Sequence, residues 1–264
     1  GRPDADDVHA QAAVGSLLNH KDMAGIKTYT VHNAWGKQRS KDIWNSVTLM
    51  SLAFGTENVD WTNAYTLDNE QRSNPSSNWY KSVQRITNRV QPILESGGTV
   101  WVAEAGQSDI TKDWVLELFK RGISADAVKN RVIIVQHSEW NEDQTSSGVL
   151  IYLKNHTTYI HIDDGNEGRN GTPNYHTDKD SASIAAHAEI RKKAMSPDNP
   201  VEATRAMWRE ANAIIGDWQK GYSRIDEGGF DFSDTVEIWW ILDLGEAVGT
   251  IPEFADAYIF KDAA

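Results

Sequence analysis

The chain has 264 residues, 39% of them apolar, with 26 Lys and Arg against 38 Asp and Glu and a formal net charge of −12. It has no Lys/Arg-rich run, so nothing in it would displace the counterions of nucleic acid, which is not an expected partner. The absence of cysteine excludes disulfides, thiolate metal sites and a cysteine nucleophile, and no apolar run is long enough to span a membrane.

The first feature along the chain is Asp4-Ala5-Asp6-Asp7, three carboxylates that run directly into an apolar, helix-like stretch from Val8 to Leu18. Like charges crowded at a helix entrance repel unless a cation, the helix dipole or hydroxyl donors offset them. Hard oxygen ligands of this kind suit calcium or magnesium, while an N-cap Asp with acidic neighbours would need no metal. Residues 26–32 read as a β-branched strand. Ser40 then caps a predicted helix whose apolar positions Ile43, Val47, Met50 and Phe54 recur at helical spacing. Residues 55–78 are polar and read as a loop. Residues 77–94 form a second periodic helix through Trp79, Val83, Ile86 and Val90, closed by Gly97-Gly98.

A short strand is expected at 99–103, then a helix over 109–121 with Gly122 just past its end. The run Val132-Ile133-Ile134-Val135 reads as a parallel strand covered on both faces, and Tyr159-Ile160-His161-Ile162 as a further strand. Residues 163–182 read as a second long loop. Helices are expected at about 180–195, at 200–219 with Pro200 in the first turn, and at 234–243. Strands alternating with helices predict one α/β domain over 1–264, a mainly parallel sheet with helices on both faces. Only Gly1-Arg2-Pro3 precede the Asp cluster, so the strand that should feed its helix is expected upstream of residue 1.

Ligands bind beyond the carboxyl ends of strands in open parallel sheets. Those ends carry Asp4, Asp6 and Asp7; His32-Asn33; Glu104 through Asp109; Gln136-His137-Ser138-Glu139; and Asp163-Asp164-Gly165-Asn166-Glu167. Phe232-Ser233-Asp234-Thr235 opens the last Trp-rich helix. So many ends rich in carboxylate, amide and imidazole predict a polar pocket. Each group also has a plainer reading: Asp6 as a helix cap, Asp163-Asp164-Gly165 as a turn, His161 as a satisfied core histidine. Glu104, directly after a buried strand, needs a partner or a function. Of the eleven tryptophans, Trp35, Trp61, Trp79 and Trp140 sit in polar contexts, where they either stack on sugars or anchor loops.

Asp6-Asp7 running into a helix resembles the Asp-Asp of the nucleoside hydrolases, whose signature is Asp-x-Asp-x-x-x-Asp-Asp. Asn33 at a strand end, the small-residue turn Ala105-Gly106 and Asp234 at a late helix fall in that family's order. The likeness is nearer to nucleoside-hydrolase-like domains of bacterial carbohydrate-associated proteins, whose Ser-Asp-Gln-Asp-like segment has Gln136-His137-Ser138-Glu139 in its place here. It implies a three-layer, Rossmann-like fold and a calcium ion held by Asp7 and Asp234. It further implies Asp4 as the base that takes a proton from water, and Asp6, Asn33, Glu104, Asn166 and Glu167 as sugar ligands. Glu139 or His137 would protonate the leaving group. The expected substrate is a sugar, nucleoside or oligosaccharide, a periplasmic or secreted location suits the likeness, and a homo-oligomer is compatible with it. Two departures stand out: Arg2 stands where the family has the Asp four residues before its Asp-Asp pair, and Ser233 replaces the His before Asp234. They keep open a non-catalytic carbohydrate-binding domain and, more distantly, an unrelated α/β metallohydrolase.

Overall fold

The computed structural model describes residues 4–33, 46–65, 72–167, 170–218 and 223–261. The chain forms two compact units. One comprises 29–43 and 57–162 with residues 1–2; the other comprises 3–28, 44–56 and 163–264.

Among the described residues the named strands all lie in the first unit, and they pair in parallel. Strand β1 (Thr30–His32) pairs with β2 (Trp61–Asn63) in register Thr30↔Trp61, Val31↔Thr62 and His32↔Asn63. A second sheet has the order β3 (Val100–Ala103), β4 (Val132–His137), β5 (Thr158–Ile162). Among the described residues two short sheets thus stand where a single sheet was expected, and β2 falls inside the predicted loop. The α/β, parallel character holds. Helix α3 (Asn78–Glu95) starts where Ser77 Oγ accepts from Tyr80 N–H. Its apolar stripe Trp79, Val83, Ile86, Val90 and Leu94 is buried with Ile110, Trp114 and Leu118 of α4 (Asp109–Lys120) and with Val132 and Ile134 of β4. On its own sheet α3 meets the outer face of β2, where Ser82 Oγ lies 2.8 Å from Thr62 Oγ1. Alternation along the strands then puts His32, Trp61 and Asn63 together on the opposite face. Three shorter helices among the described residues, α5 (Ala125–Arg131), α6 (Glu139–Gln144) and α7 (Val149–His156), also belong to this unit.

Among its described residues the second unit is helical. Its centre is α1 (Ala5–Leu18), packed on α2 (Val47–Phe54) and on α9 (Glu202–Trp218), with α8 (Ser181–Met195) beyond. The predicted cap Ser40 and Ile43 lie outside the described residues. Helix α1 is rich in small residues because its neighbours come very close. A Cβ on Gly15 would stand 2.5 Å from Ala53 Cβ and 2.7 Å from Met207 Sδ. Gly15→Val is therefore expected to lower the unfolding free energy by roughly 1–3 kcal/mol, the usual cost of overpacking, measurable by urea titration. An aromatic cluster of Tyr175, Trp208, Phe230, Phe232 and Phe254 fills the rest of this core. The Trp208 indole N–H donates to Ser16 Oγ at 3.2 Å, fixing α9 on α1.

Candidate functional site

Asp4 is the N-cap residue of α1, and its backbone N–H donates to Asp7 Oδ2 at 3.3 Å, one arm of a capping box. The Asp7 N–H in turn lies 3.1 Å from Asp6 Oδ1. One carboxylate oxygen of each of Asp4, Asp6 and Asp7 falls within 4.8 Å of the others, and all three residues are half-buried. Burial pushes the Asp6 carboxyl well above the ordinary carboxylate range. A hydrogen bond to Asp4 and the charges of Asp234, Asp4 and Asp7 push the same way. Asp7 is raised as well, first by burial and then by Asp4 and Asp234. The N-cap role and the charge cluster therefore coexist: the helix start is capped, yet it gathers more negative charge than a cap requires.

The charge of Asp234 acts on Asp6 and Asp7 from the far end of the chain. It sits in a 3-10 turn, Ser233–Thr235, that packs on α1 and leads into α11 (Val236–Ile241), α10 being the short helix Ser223–Asp226. Two backbone bonds hold the approach to that turn: Thr177 N–H to Phe230 C=O and Phe232 N–H to Tyr175 C=O, each 2.9 Å. A third tie runs to α1, where buried His9 Nδ1 accepts from Asp231 N–H at 3.2 Å. His9 is held in its neutral form by burial and by Arg191. Asp231 is buried; that raises its carboxyl to about 6, with the Asp234 charge adding and the Ser233 hydrogen bonds and Arg224 subtracting.

The loop after β5 closes on the same turn. Asp164 C=O accepts from Glu167 N–H at 3.0 Å and Asp164 Oδ1 accepts from Asn166 N–H at 2.9 Å, so Asp163-Asp164-Gly165 does form the turn that its Asp-Gly pair suggests. Gly165 is required there, since a Cβ would lie 2.7 Å from Ser233 C=O and from Val236. This close approach puts Asn166 Oδ1 2.9 Å from Ser233 Oγ. Asn166 and Glu167 are both exposed.

The sequence-predicted site residues thus divide between the units. Asp4, Asp6, Asp7, Asn166, Glu167 and Asp234 belong to the helical unit; Asn33, Glu104, His137 and Glu139 belong to the sheet unit. In the sheet unit, Glu104 is buried and accepts from Thr111 Oγ1 in the first turn of α4, which supplies the partner its position demands. His137 and Asn33 are buried, and Glu139 is exposed at the start of α6. Between them, Ser138 has φ +70°, a backbone conformation uncommon for a residue with a side chain. Much of the polarity at these strand ends ties loops together. Gln136 accepts from Ser108 Oγ at 3.3 Å, and Ser146 N–H donates to Asp109 Oδ2 at 3.1 Å. His161 is no core histidine: it is exposed on β5, with Nδ1 3.1 Å from Glu142 Oε1. Trp61 and Trp79 are buried anchors, Trp140 is exposed, and Trp35 and Arg2 lie outside the described residues.

Asp231 is the residue that sequence reasoning passed over. Its signal was an acidic residue framed by Phe230 and Phe232, a pattern that buries the carboxyl with its neighbours. Fold and site together define a class, an α/β protein with short parallel sheets and, in its helical unit, an acidic cluster at a helix entrance. No protein-family model, curated protein or solved structure matches the chain. No helix among the described residues is long and apolar enough to cross a membrane.

Proposed function

We propose that the protein is a calcium-dependent hydrolase of a glycosidic bond, N-ribosyl or O-glycosidic, built on the nucleoside hydrolase pattern. The observation that carries this reading is the gathering of Asp4, Asp6 and Asp7 at the entrance of α1, with Asp6 and Asp7 raised by burial, by one another's charges and by the charge of Asp234. A divalent cation would relieve that repulsion, and an all-oxygen donor set fits calcium. Asp7 and Asp234 would hold the ion. When bound, it supplies a seat for vicinal sugar hydroxyls and lowers the pKa of a coordinated water.

The chain's own groups do the rest. Asp4, at the mouth of α1, accepts the proton of the attacking water as the glycosidic bond breaks through an oxocarbenium-like state. Asp6 and the exposed Asn166 hold ring hydroxyls. A specific observation supports the second reading, a non-catalytic carbohydrate-binding domain. Ser233 replaces the family's histidine, and its hydroxyl, already engaged with Asp231 and Asn166, supplies no acid for a leaving group.

Calorimetric calcium titration of EDTA-treated protein, followed by a hydrolysis screen over nucleosides and aryl glycosides, tests both. Calcium binding with turnover that Asp4→Asn removes supports the hydrolase. Calcium and sugar binding without turnover supports the binding domain, and failure to bind calcium sinks the metal site.

A further inference from the structure

Ser233 Oγ lies 2.9 Å from Asn166 Oδ1 and 2.8 Å from Asp231 Oδ1. Both neighbours are acceptors, and a serine hydroxyl has one proton to give. Rotating the Asn166 amide to present its nitrogen to Ser233 is disfavoured. Asn166 Nδ2 already donates to Asp164 Oδ1 at 3.2 Å, and a rotated amide would set oxygen against that carboxylate. The observed orientation therefore satisfies both ends of the amide whenever the serine proton goes to Asn166. It uses one lone pair of Oδ1 and one Nδ2 hydrogen, leaving the second Nδ2 hydrogen as the donor that this exposed side chain offers to a ligand.

We infer that Ser233 is a positioning residue that fixes Asn166 as a hydrogen-bond donor, so that this position reads an acceptor oxygen of the ligand, such as a sugar hydroxyl or ring oxygen. That Asn166 touches a ligand rests on the functional reading above; its orientation by Ser233 does not. Asp231 competes for the same serine proton. Arg224 Nη1, 3.6 Å from Asp231 Oδ2, draws on the other carboxylate oxygen. A side chain at 231 that donates to Ser233 Oγ would release that proton to Asn166.

The test is side-chain amide NMR on the ¹⁵N-labelled protein, with no ligand present. In Ser233→Ala the Asn166 amide is no longer held at Oδ1, so the Nδ2 proton given to Asp164 is expected to exchange up to about tenfold faster than in wild type, the loss of one hydrogen bond of ordinary strength. Its resonance should also move toward the position of a free asparagine amide proton, while the two Nδ2 protons stay distinct because the partial double bond to Nδ2 blocks their exchange. Asp231→Asn, whose amide can donate to Oγ, is expected to retain the wild-type position of that resonance. Thermal melts and backbone spectra confirm that each variant is folded. Unchanged Asn166 exchange in Ser233→Ala would overturn the inference, as would equal loss of protection in Asp231→Asn. Because no calcium or sugar enters the measurement, it fails or succeeds independently of the hydrolase reading.

Discussion

His32→Leu is expected to stabilise the protein, and by a margin that widens as the solution is acidified. His32 is buried at the end of β1 with neither ring nitrogen hydrogen-bonded, against the edge of Trp61 at 6.3 Å between ring centroids. Its register partner Asn63 is also buried, with Nδ2 unpartnered. Desolvation pushes the imidazole down to about 3. In the unfolded chain a histidine takes its proton near pH 6.5, so between these values the unfolded state binds more protons than the folded one. Stability therefore rises with pH through this window and is lost as pH falls below 6.5. Leucine has no such proton. Relative to wild type, the gain from His32→Leu should grow by about 2 kcal/mol between pH 8 and pH 5, one and a half pH units below the unfolded value. The comparison is a pair of urea titrations at the two pH values. His9 acts in the same direction in both proteins and cancels from the difference. An equal gain at both pH values would mean that His32 takes up its proton in the folded state.

The parts of this fold that were legible in the sequence are those whose burial is local and periodic. Trp79, Val83, Ile86 and Val90 lie one helical turn apart, so α3 could be placed to within a residue, and Val132 to Val135 marked β4 for the same reason. Strand β2 could not be found that way. It has three residues, Trp61-Thr62-Asn63, and it is a strand only because β1 lies beside it. The division into two units was equally hidden, because it depends on α1 packing against α9 and the Ser233–Thr235 turn from the opposite end of the chain. The polar strand ends were read as one pocket. In the sheet unit, contacts such as Ser108 to Gln136 and Glu104 to Thr111 show the same polarity fastening loops. What the sequence did reveal of the site was the charge of Asp4, Asp6 and Asp7. Asp231 and the orientation of Asn166 were not visible, since both depend on a turn and a loop meeting in three dimensions.

Asp7→Asn separates the two roles of the acidic helix entrance, and here the expected signs are opposite. If Asp7 serves only the helix, as the residue accepting from Asp4 N–H, its negative charge near the helix N-terminus is favourable, and neutralising it costs about 0.3–1 kcal/mol. If it belongs to a cation site, its charge in the metal-free protein is a liability. Burial, Asp4 and Asp234 all raise its carboxyl, so the folded state holds a proton that the unfolded chain has released. A group raised in the fold contributes stability only at low pH, and the contribution is lost as pH rises from the ordinary carboxyl value through the raised one. An asparagine keeps an oxygen to accept from Asp4 N–H and discards that penalty. Metal-free Asp7→Asn is accordingly expected to melt above metal-free wild type at pH 8, with the gap closing toward pH 4. Calcium should reverse the order. At a thousandfold excess over Kd it stabilises the wild type by about 4 kcal/mol, while the variant, short of one ligand, should gain far less. Protons and calcium compete for the same oxygens, so the wild-type response to calcium should itself weaken as the pH falls. Melts with EDTA and with calcium at both pH values measure all of this, and a variant that is less stable than wild type without metal and equally responsive to calcium would reduce Asp7 to a helix cap.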